Sequence, residues 1–489
     1  AETKIKPLKK FGILIVTDFE LDVCCFVTLN AGDIAAIESA ADLHIAKPQT
    51  LCRVNSISSR PICSSPVATL EKRHMNYFRF IKQNKRFLVF GLLVALFSSF
   101  GQTYFIGLFS AEIRGAFSLS HGDFGLVYSA GSLAAGVFLI WLGRYVDRLD
   151  LRLWITLLSG AAVGACIVMG LAPSVIILAV ALFLLRLTCQ SLLSHTYMTS
   201  MARYFDSGRG KAISIAMLGH PVGEAIFPLI TVTLLAAMGW RDVWFVYGAI
   251  GAALFLPILL WLLRGHGERH QNYLNRLAEP EVNSRQSGHQ WTQGEVLRDV
   301  RFYLIQIAMM LPPFAFTGLF IHQAHLAEAK GWSLAWLATC FSAYAAASII
   351  ASLTMGPMID RIGATRIAPW ALLPAVLSML VLAFFSHPAA TLVFMAGLGL
   401  CMGMVFTCFT AIWPELYGVR HLGAIRSVVM AVMVLVSAIA PAIMGWLFDA
   451  GVTVETLAII FALWAFGGWL LLLVVLRRWK VAPVEASEA

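Results

Sequence analysis

Gly143-Arg144-Tyr145-Val146-Asp147-Arg148-Leu149-Asp150-Leu151-Arg152 sits between two long apolar runs. A relative of it, Gly356-Pro357-Met358-Ile359-Asp360-Arg361-Ile362-Gly363-Ala364-Thr365-Arg366, returns about 213 residues later. An acid followed by Arg at the mouth of an apolar helix, repeated at half-chain spacing, implies two similar helix bundles joined in tandem. A charged turn at one end of each would let the bundles move against one another.

Composition agrees. Of 489 residues, 59% are hydrophobic and only 13% are charged, where soluble domains carry about a quarter charged. Mean hydropathy is +0.77. These values indicate a polytopic membrane protein with an all-α fold. The 9 cysteines show no paired Cys-x-x-Cys spacing, so they read as small apolar packers rather than metal ligands.

Runs of the length that a bilayer demands, about 20 apolar residues, begin near Phe87, Asp123, Leu153, Ser174, Lys211 and Val243. They resume near Phe302, Leu334, Ile367, Ala389, Gly423 and Thr456. That predicts twelve spans, six on each side of a polar stretch. Loops on one side carry Arg79, Lys82, Lys85 and Arg86, then Arg144, Arg148 and Arg152, then Arg203, Arg209 and Lys211. The same side holds the middle loop's arginines from Arg264 to Arg301, then Arg361, Arg366, Arg420, Arg426, Arg477, Arg478 and Lys480. The opposite loops carry only Arg114, Arg241 and Lys330. The positive-inside rule therefore places both termini and the middle loop in the cytoplasm; the membrane expected is the plasma membrane, the inner membrane of a bacterium. The formal charge of +9 is topological, and no nucleic-acid partner is expected.

The chain divides into an extension at 1–74, a six-helix bundle at 75–264, a cytoplasmic linker at 265–300, a second bundle at 301–480 and a tail at 481–489. No Met precedes Met75, which opens a basic amphipathic lead into the first span. The apolar run Phe11 to Val16 is too short for a span or a signal-peptide core. Residues 1–74 read as an extension outside the transport unit, or as a small regulatory module.

The repeat extends beyond the turn. Gly107-Leu108-Phe109 matches Gly318-Leu319-Phe320, and Pro228 matches Pro441. Two parallel six-span halves would face each other across a central cavity. This layout, with Gly143-x-x-x-Asp147-Arg148 at the turn, resembles the major facilitator superfamily of secondary transporters over roughly residues 76–480. Asp150 departs from the family's glycine, which Gly363 keeps in the second copy. The resemblance implies a gate built from Gly143, Asp147, Arg148, Gly356, Asp360 and Arg361, with Gly143 allowing close helix approach. The acid would latch the cytoplasmic ends by facing a helix N-terminus, here the one near Gly423. The stretch Trp413-Pro414-Glu415-Leu416-Tyr417-Gly418-Val419-Arg420 resembles a loop of the oxalate/formate and monocarboxylate porter branch, although that branch's acidic first-span signature is absent.

Ionisable groups inside spans mark function by default. Arg186, in the middle of the fourth span, stays charged and can fork onto a carboxylate, with Gln190 one turn on. Glu224, in the fifth span, follows Leu218-Gly219-His220-Pro221-Val222-Gly223 and precedes Pro228. Broken helices of this kind are tolerated where backbone lines a cavity. The two charges are expected to pair, with a substrate anion or a proton competing for either partner. Glu224 and His220 are the candidate coupling residues, because a desolvated carboxyl group suits a proton carrier. Gln102 and Tyr104 interrupt the first span, and His322 and Gln323 end the seventh. With Arg186 and Gln190 they complete the candidate substrate set. His322, His325 and Glu328 drift around their helix, so no metal site is assigned, nor any cofactor or catalytic group.

The chain lacks a P-loop, a Gly-x-Ser-x-Gly and a His-Glu-x-x-His, which leaves no enzyme motif and no ATP site. The reading is a monomeric secondary transporter of a small organic anion, driven by a proton or exchange gradient. The alternatives are a proton-coupled drug exporter and a transporter-like sensor.

Overall fold

The computed structural model describes residues 4–8, 13–18, 23–28, 77–205, 208–277, 291–418 and 421–477. The chain forms two compact units, Ala1–His74 and Met75–Ala489. The first contains an antiparallel meander of β1 (Lys4–Leu8), β2 (Ile13–Asp18) and β3 (Val23–Thr28) in the order β1-β2-β3. Much of the short apolar run read before Asp18 is therefore the middle strand of a sheet, in register from Ile13↔Thr28 to Asp18↔Val23. Cys52 and Cys63 lie outside the described residues.

The second unit holds 12 helices long and apolar enough to cross a membrane. In chain order they are α1 (Phe80–Gly107), α2 (His121–Leu142), α3 (Leu151–Leu171), α4 (Val175–Tyr204), α5 (Arg209–Ala237), α6 (Trp240–Leu262), α7 (Val300–Ile321), α8 (Leu334–Ile362), α9 (Ala364–Phe384), α10 (Pro388–Tyr417), α11 (Leu422–Asp449) and α12 (Val454–Arg477). Hydropathy places spans well because each backbone polar group in lipid must be satisfied within its own helix. The largest difference from the sequence reading is at α1. The basic lead belongs to the same helix, which starts at Tyr77. The segment between α6 and α7 contains helices His266–Leu277 and Gln293–Arg298, the latter closed by a capping box of Thr292 and Glu295.

Helix starts explain several polar residues that the apolar pattern leaves unaccounted for. Ser120 and Asp123 form a reciprocal capping box on α2, Ser174 caps α4 and Ser333 caps α8. Asp150, the departure from glycine at the first turn, accepts the Arg152 N–H at 2.8 Å and caps α3. At the second turn Gly363 takes φ +94°. The carboxylate there comes from α10, where Glu415 accepts the Ala364 N–H at 2.6 Å and caps α9. Cys166, Cys189, Cys340, Cys401 and Cys408 are free and buried, as small packers would be.

Contacts between the halves concentrate away from the end where α6 stops and α7 starts, hereafter the linker end. At the far end α2 lies along α11, where Gly122 abuts Trp446 and Gly125 abuts the Pro441 carbonyl. Gly445 reciprocates against the His121 carbonyl, and Gly107 of α1 abuts the Phe320 carbonyl of α7. A β-carbon at any of these glycines would collide with backbone or a packed ring. Deeper in, Ser342 of α8 donates to the Ala225 carbonyl of α5 at 3.4 Å. At the linker end, by contrast, Gly356 and Gly423 have open space where a β-carbon would stand.

Candidate functional site

The site forms where α1 breaks. Gly101 has no side chain, and the Ser98 hydroxyl donates to the Ala95 carbonyl at 2.6 Å, a local bond that competes with regular helix. The chain tightens into a 3₁₀ turn over Ser98–Gly101, passes through Gln102 in extended conformation at φ −74° and ψ 151°, and restarts at Thr103. Against this break lies a π-helical stretch of α4, Arg186–Leu193. Widened turns of this kind recur at functional sites because they re-aim a side chain out of the regular helix. Gly101 makes the fit possible, since a β-carbon there would strike the Leu185 carbonyl and come within 2.8 Å of Cys189 Cβ.

Arg186 opens the widened turn and is 6% exposed. Its Nη1 donates to the Gly101 carbonyl at 3.0 Å and to Thr103 Oγ1 at 3.4 Å. The guanidinium lies 5.0 Å from the centre of the Tyr128 ring, close enough for a cation–π contact. Tyr128 in turn donates to Thr103 Oγ1 at 2.8 Å. Nε of Arg186 and Oε1 of Gln190 are buried without a partner. Among the described residues no carboxylate pairs with Arg186, so the expected Arg186–Glu224 ion pair is not formed. The α1 break supplies acceptors nearer to hand, a freed carbonyl and a hydroxyl.

Glu224 stands on the other side of α1. Gly219 and Gly223 let α5 approach closely, the first against the Leu92 carbonyl and the second against Ser99 Oγ, with the Tyr104 hydroxyl 3.1 Å from where a β-carbon would stand. Ser99 Oγ and the Tyr104 hydroxyl are both buried without partners. Tyr104 and Tyr344 lie within electrostatic reach of Glu224. One turn earlier, His220 bridges α4 and α1, with Nε2 3.1 Å from the Tyr197 hydroxyl and Nδ1 3.5 Å from Ser98 Oγ. A buried cation and a half-buried acid thus flank one broken helix, each with unpartnered polar atoms beside it.

The other candidates fall elsewhere. Gln102 is half-buried at the break itself. Gln323 is buried and its Nε2 donates to the Tyr104 carbonyl at 2.7 Å, joining α1 to the end of α7. His322 turns to α11, with Nε2 2.9 Å from the Pro441 carbonyl oxygen. Of the gate residues, Gly143 is buried, and a β-carbon there would come within 3.5 Å of the His195 ring of the same half. The side chains of Asp147 and Arg148 lie outside the described residues. Asp360 and Arg361 are exposed, and neither has a hydrogen-bond or ion-pair partner among the described residues. Tyr128, Tyr197 and Asp449 were missed in the sequence. Tyr128 and Tyr197 are ordinary aromatic residues in apolar runs, and Asp449 reads as a solvated span end.

The family model described as Major Facilitator Superfamily matches residues 91–340 and 313–488. The chain belongs to that superfamily. It is an integral membrane transporter, and its relatives are transporters rather than enzymes. It is 22% identical over 363 residues to Multidrug resistance protein Stp of Mycobacterium tuberculosis, covering 65% of this chain and 67% of that protein. It is 28% identical over 183 residues to a Gallate transporter of Pseudomonas putida, covering 36% of this chain and 39% of that one. Among solved structures, a bacterial homolog of the human lysosomal transporter Spinster, described as inward-facing and unoccupied, matches with a TM-score of 0.57. The identity is 15%, over 83% of this chain and 95% of that chain. Its occupied form matches with a TM-score of 0.55. These likenesses bear on the fold.

Proposed function

We propose that the chain is a secondary active transporter of a small organic anion, working by alternating access and coupled to a proton or exchange gradient. The observation that carries this is Arg186, a buried guanidinium held by one carbonyl, one hydroxyl and one ring, with no carboxylate paired to it among the described residues. Burying a lone charge is costly, and an anionic cargo would supply the missing partner in a forked geometry. The relative named for gallate, itself a carboxylate, supports the same class. Glu224 is the proposed proton site, with His220, Tyr104 and Ser99 around it. With the linker end in the cytoplasm, as the basic loops suggest, the far-end contacts make this an inward-open form. Asp360 and Arg361 are then gate charges released from partners.

The second reading, export of drugs, rests on the longer match to a multidrug resistance protein. It is also favoured by the aromatic cluster Tyr104, Phe341, Phe320 and Tyr344, whose successive rings lie 5.3–5.8 Å apart. Flux into proteoliposomes at two pH values separates the readings. Small carboxylates are expected to move, and lipophilic cations are expected not to. Transport of lipophilic cations with no carboxylate flux would overturn the anion assignment.

A further inference from the structure

The far end holds titratable groups that the proposed transport site does not use. Three histidines from both halves gather there, His121 at the start of α2 and His322 and His325 just beyond α7. The His121 ring centre is 4.2 Å from His325 and 5.8 Å from His322. All three surround Phe448 of α11, at 5.8, 5.4 and 4.6 Å. His322 is 2% exposed. Since its Nε2 faces the Pro441 carbonyl, which can only accept, Nε2 carries the hydrogen and Nδ1 is the basic nitrogen. Nδ1 of His322 is buried with no partner, and so is Nδ1 of His121. A proton placed on either nitrogen in this closed arrangement would be a charge with neither solvent nor acceptor.

The same contact closes the gate. Asp449, the last residue of α11, accepts the N–H of His121 at 3.0 Å and of Gly122 at 2.7 Å. A carboxylate of one half thus sits on the helix N-terminus of the other. The remaining charges around the cluster are Arg114 and Glu112 on helix Ser110–Phe117, Asp123 in the α2 capping box, and Glu328 one turn after His325. Lys330 is taken by Glu455 at 2.9 Å. Burial comes first in holding His322 down to about 4, with His325 and Arg114 adding to it and the Pro441 carbonyl and Asp449 opposing. His325 is lowered for the same leading reason, with Arg114 adding and Glu328 and Asp449 opposing.

We propose that His121, His322 and His325 form a proton-binding site in the far-end gate, which the closed gate excludes and an acidic far face fills, releasing α2 from α11. The sign follows from linkage. With the gate open the rings are in water and titrate at about 6.5, so protons bind the open form more tightly. The closed form keeps its full advantage above about pH 6.5 and loses it as pH falls toward 4. At pH 5.5 His322 alone shifts the open-to-closed ratio about tenfold, and at pH 7.5 it shifts it hardly at all.

The test uses the full chain in lipid nanodiscs without cargo. Spin labels go on Ala116→Cys and Ala329→Cys, exposed positions of opposite halves, with the native cysteines replaced by alanine. Electron–electron distance measurements at pH 7.5 and 5.5 are expected to show the long-to-short population ratio rising about tenfold or more in acid. His322→Gln keeps a donor for Pro441 and should lose most of that rise. His121→Gln/His322→Gln/His325→Gln should be flat. Asp449→Asn should raise the ratio about two- to fivefold at both pH values while keeping the pH response. A pH-independent distribution in the histidine-containing chain, or an undiminished rise in the triple variant, overturns the proposal. Amide exchange of residues 119–124 in the unsubstituted chain, corrected for its intrinsic pH dependence, gives a second readout that needs no variant. Faster corrected exchange at pH 5.5 supports the proposal, and equal rates overturn it. Neither readout involves Arg186 or cargo, so the gate and the anion assignment stand or fall separately.

Discussion

The two halves repeat one scaffold but not one chemistry. In the first, α4 and α5 carry Arg186 and Glu224 at mid-span, against a broken α1 that offers a carbonyl and two hydroxyls, with the Tyr128 ring of α2 over the guanidinium. The second half meets this site with amides, hydroxyls and aromatic rings: Gln323 on the Tyr104 carbonyl, Ser342 on the Ala225 carbonyl, and Phe341 beside Tyr104. Its charged groups stand at the span ends, where Glu415 caps α9 and Asp449 caps α2. The halves thus share an arrangement of six spans each, while charge stands at mid-span in the first half alone among the described residues. A second set of mid-membrane charges would cost several kcal/mol apiece and is not needed where backbone and amides can close the cavity.

That contrast can be broken at four places, in descending order of effect. Arg186→Ala should raise the apparent Kd for carboxylates about 10- to 100-fold, the loss of one or two charge-assisted bonds, while the protein still reaches the membrane. Arg186→Lys should fall between, keeping charge without the fork. Unaltered carboxylate binding by Arg186→Ala would show that the first half does not hold the anion. Glu224→Gln should flatten the pH dependence of transport and leave the Kd within about threefold, since the amide keeps the shape and loses the proton. A surviving pH dependence of flux would move the coupling site elsewhere, with the far-end histidines next to be tested. Glu415→Gln, in the second half, should cost about 1 kcal/mol of stability through a weakened helix cap, read as a lower thermal midpoint with selectivity unchanged. Gly356→Ala should leave the Kd unchanged and should not lower the thermal midpoint, because nothing beyond its own stretch of helix lies within 4 Å of the new methyl group in this form. A lowered midpoint there would mean that the two ends are not as different as their contacts indicate.

The two turns that reveal the repeat sharpen the same point. Both α3 and α9 start under a carboxylate. At the first turn the acid is local, Asp150 two residues before the N–H it caps. At the second it comes from another span, and Gly363 takes up the left-handed φ that a side chain would resist. In the sequence Asp150 is only a departure from pattern and Glu415 only part of a loop resemblance. Their shared task shows only when α9 and α10 are side by side. The Arg186–Glu224 pair failed for a related reason. Equal depth on neighbouring helices does not fix which way each side chain turns, and the widened turn of α4 aims Arg186 at the α1 break.

By itself, the sequence determined the spans, the linker between the halves, the repeat and the presence of a mid-membrane cation. Those are local properties. A helix in lipid must satisfy its own backbone within about 20 apolar residues, and a charge inside such a run is visible without knowing any neighbour. Only the tertiary structure decided which carbonyl and ring receive Arg186, which helix N-terminus Asp449 caps, and which end of the bundle is closed. Those depend on helix rotation and on approaches of a few ångströms at Gly101, Gly107, Gly125 and Gly445. Small residues set that geometry by what they leave out, and a linear pattern does not record what they leave room for.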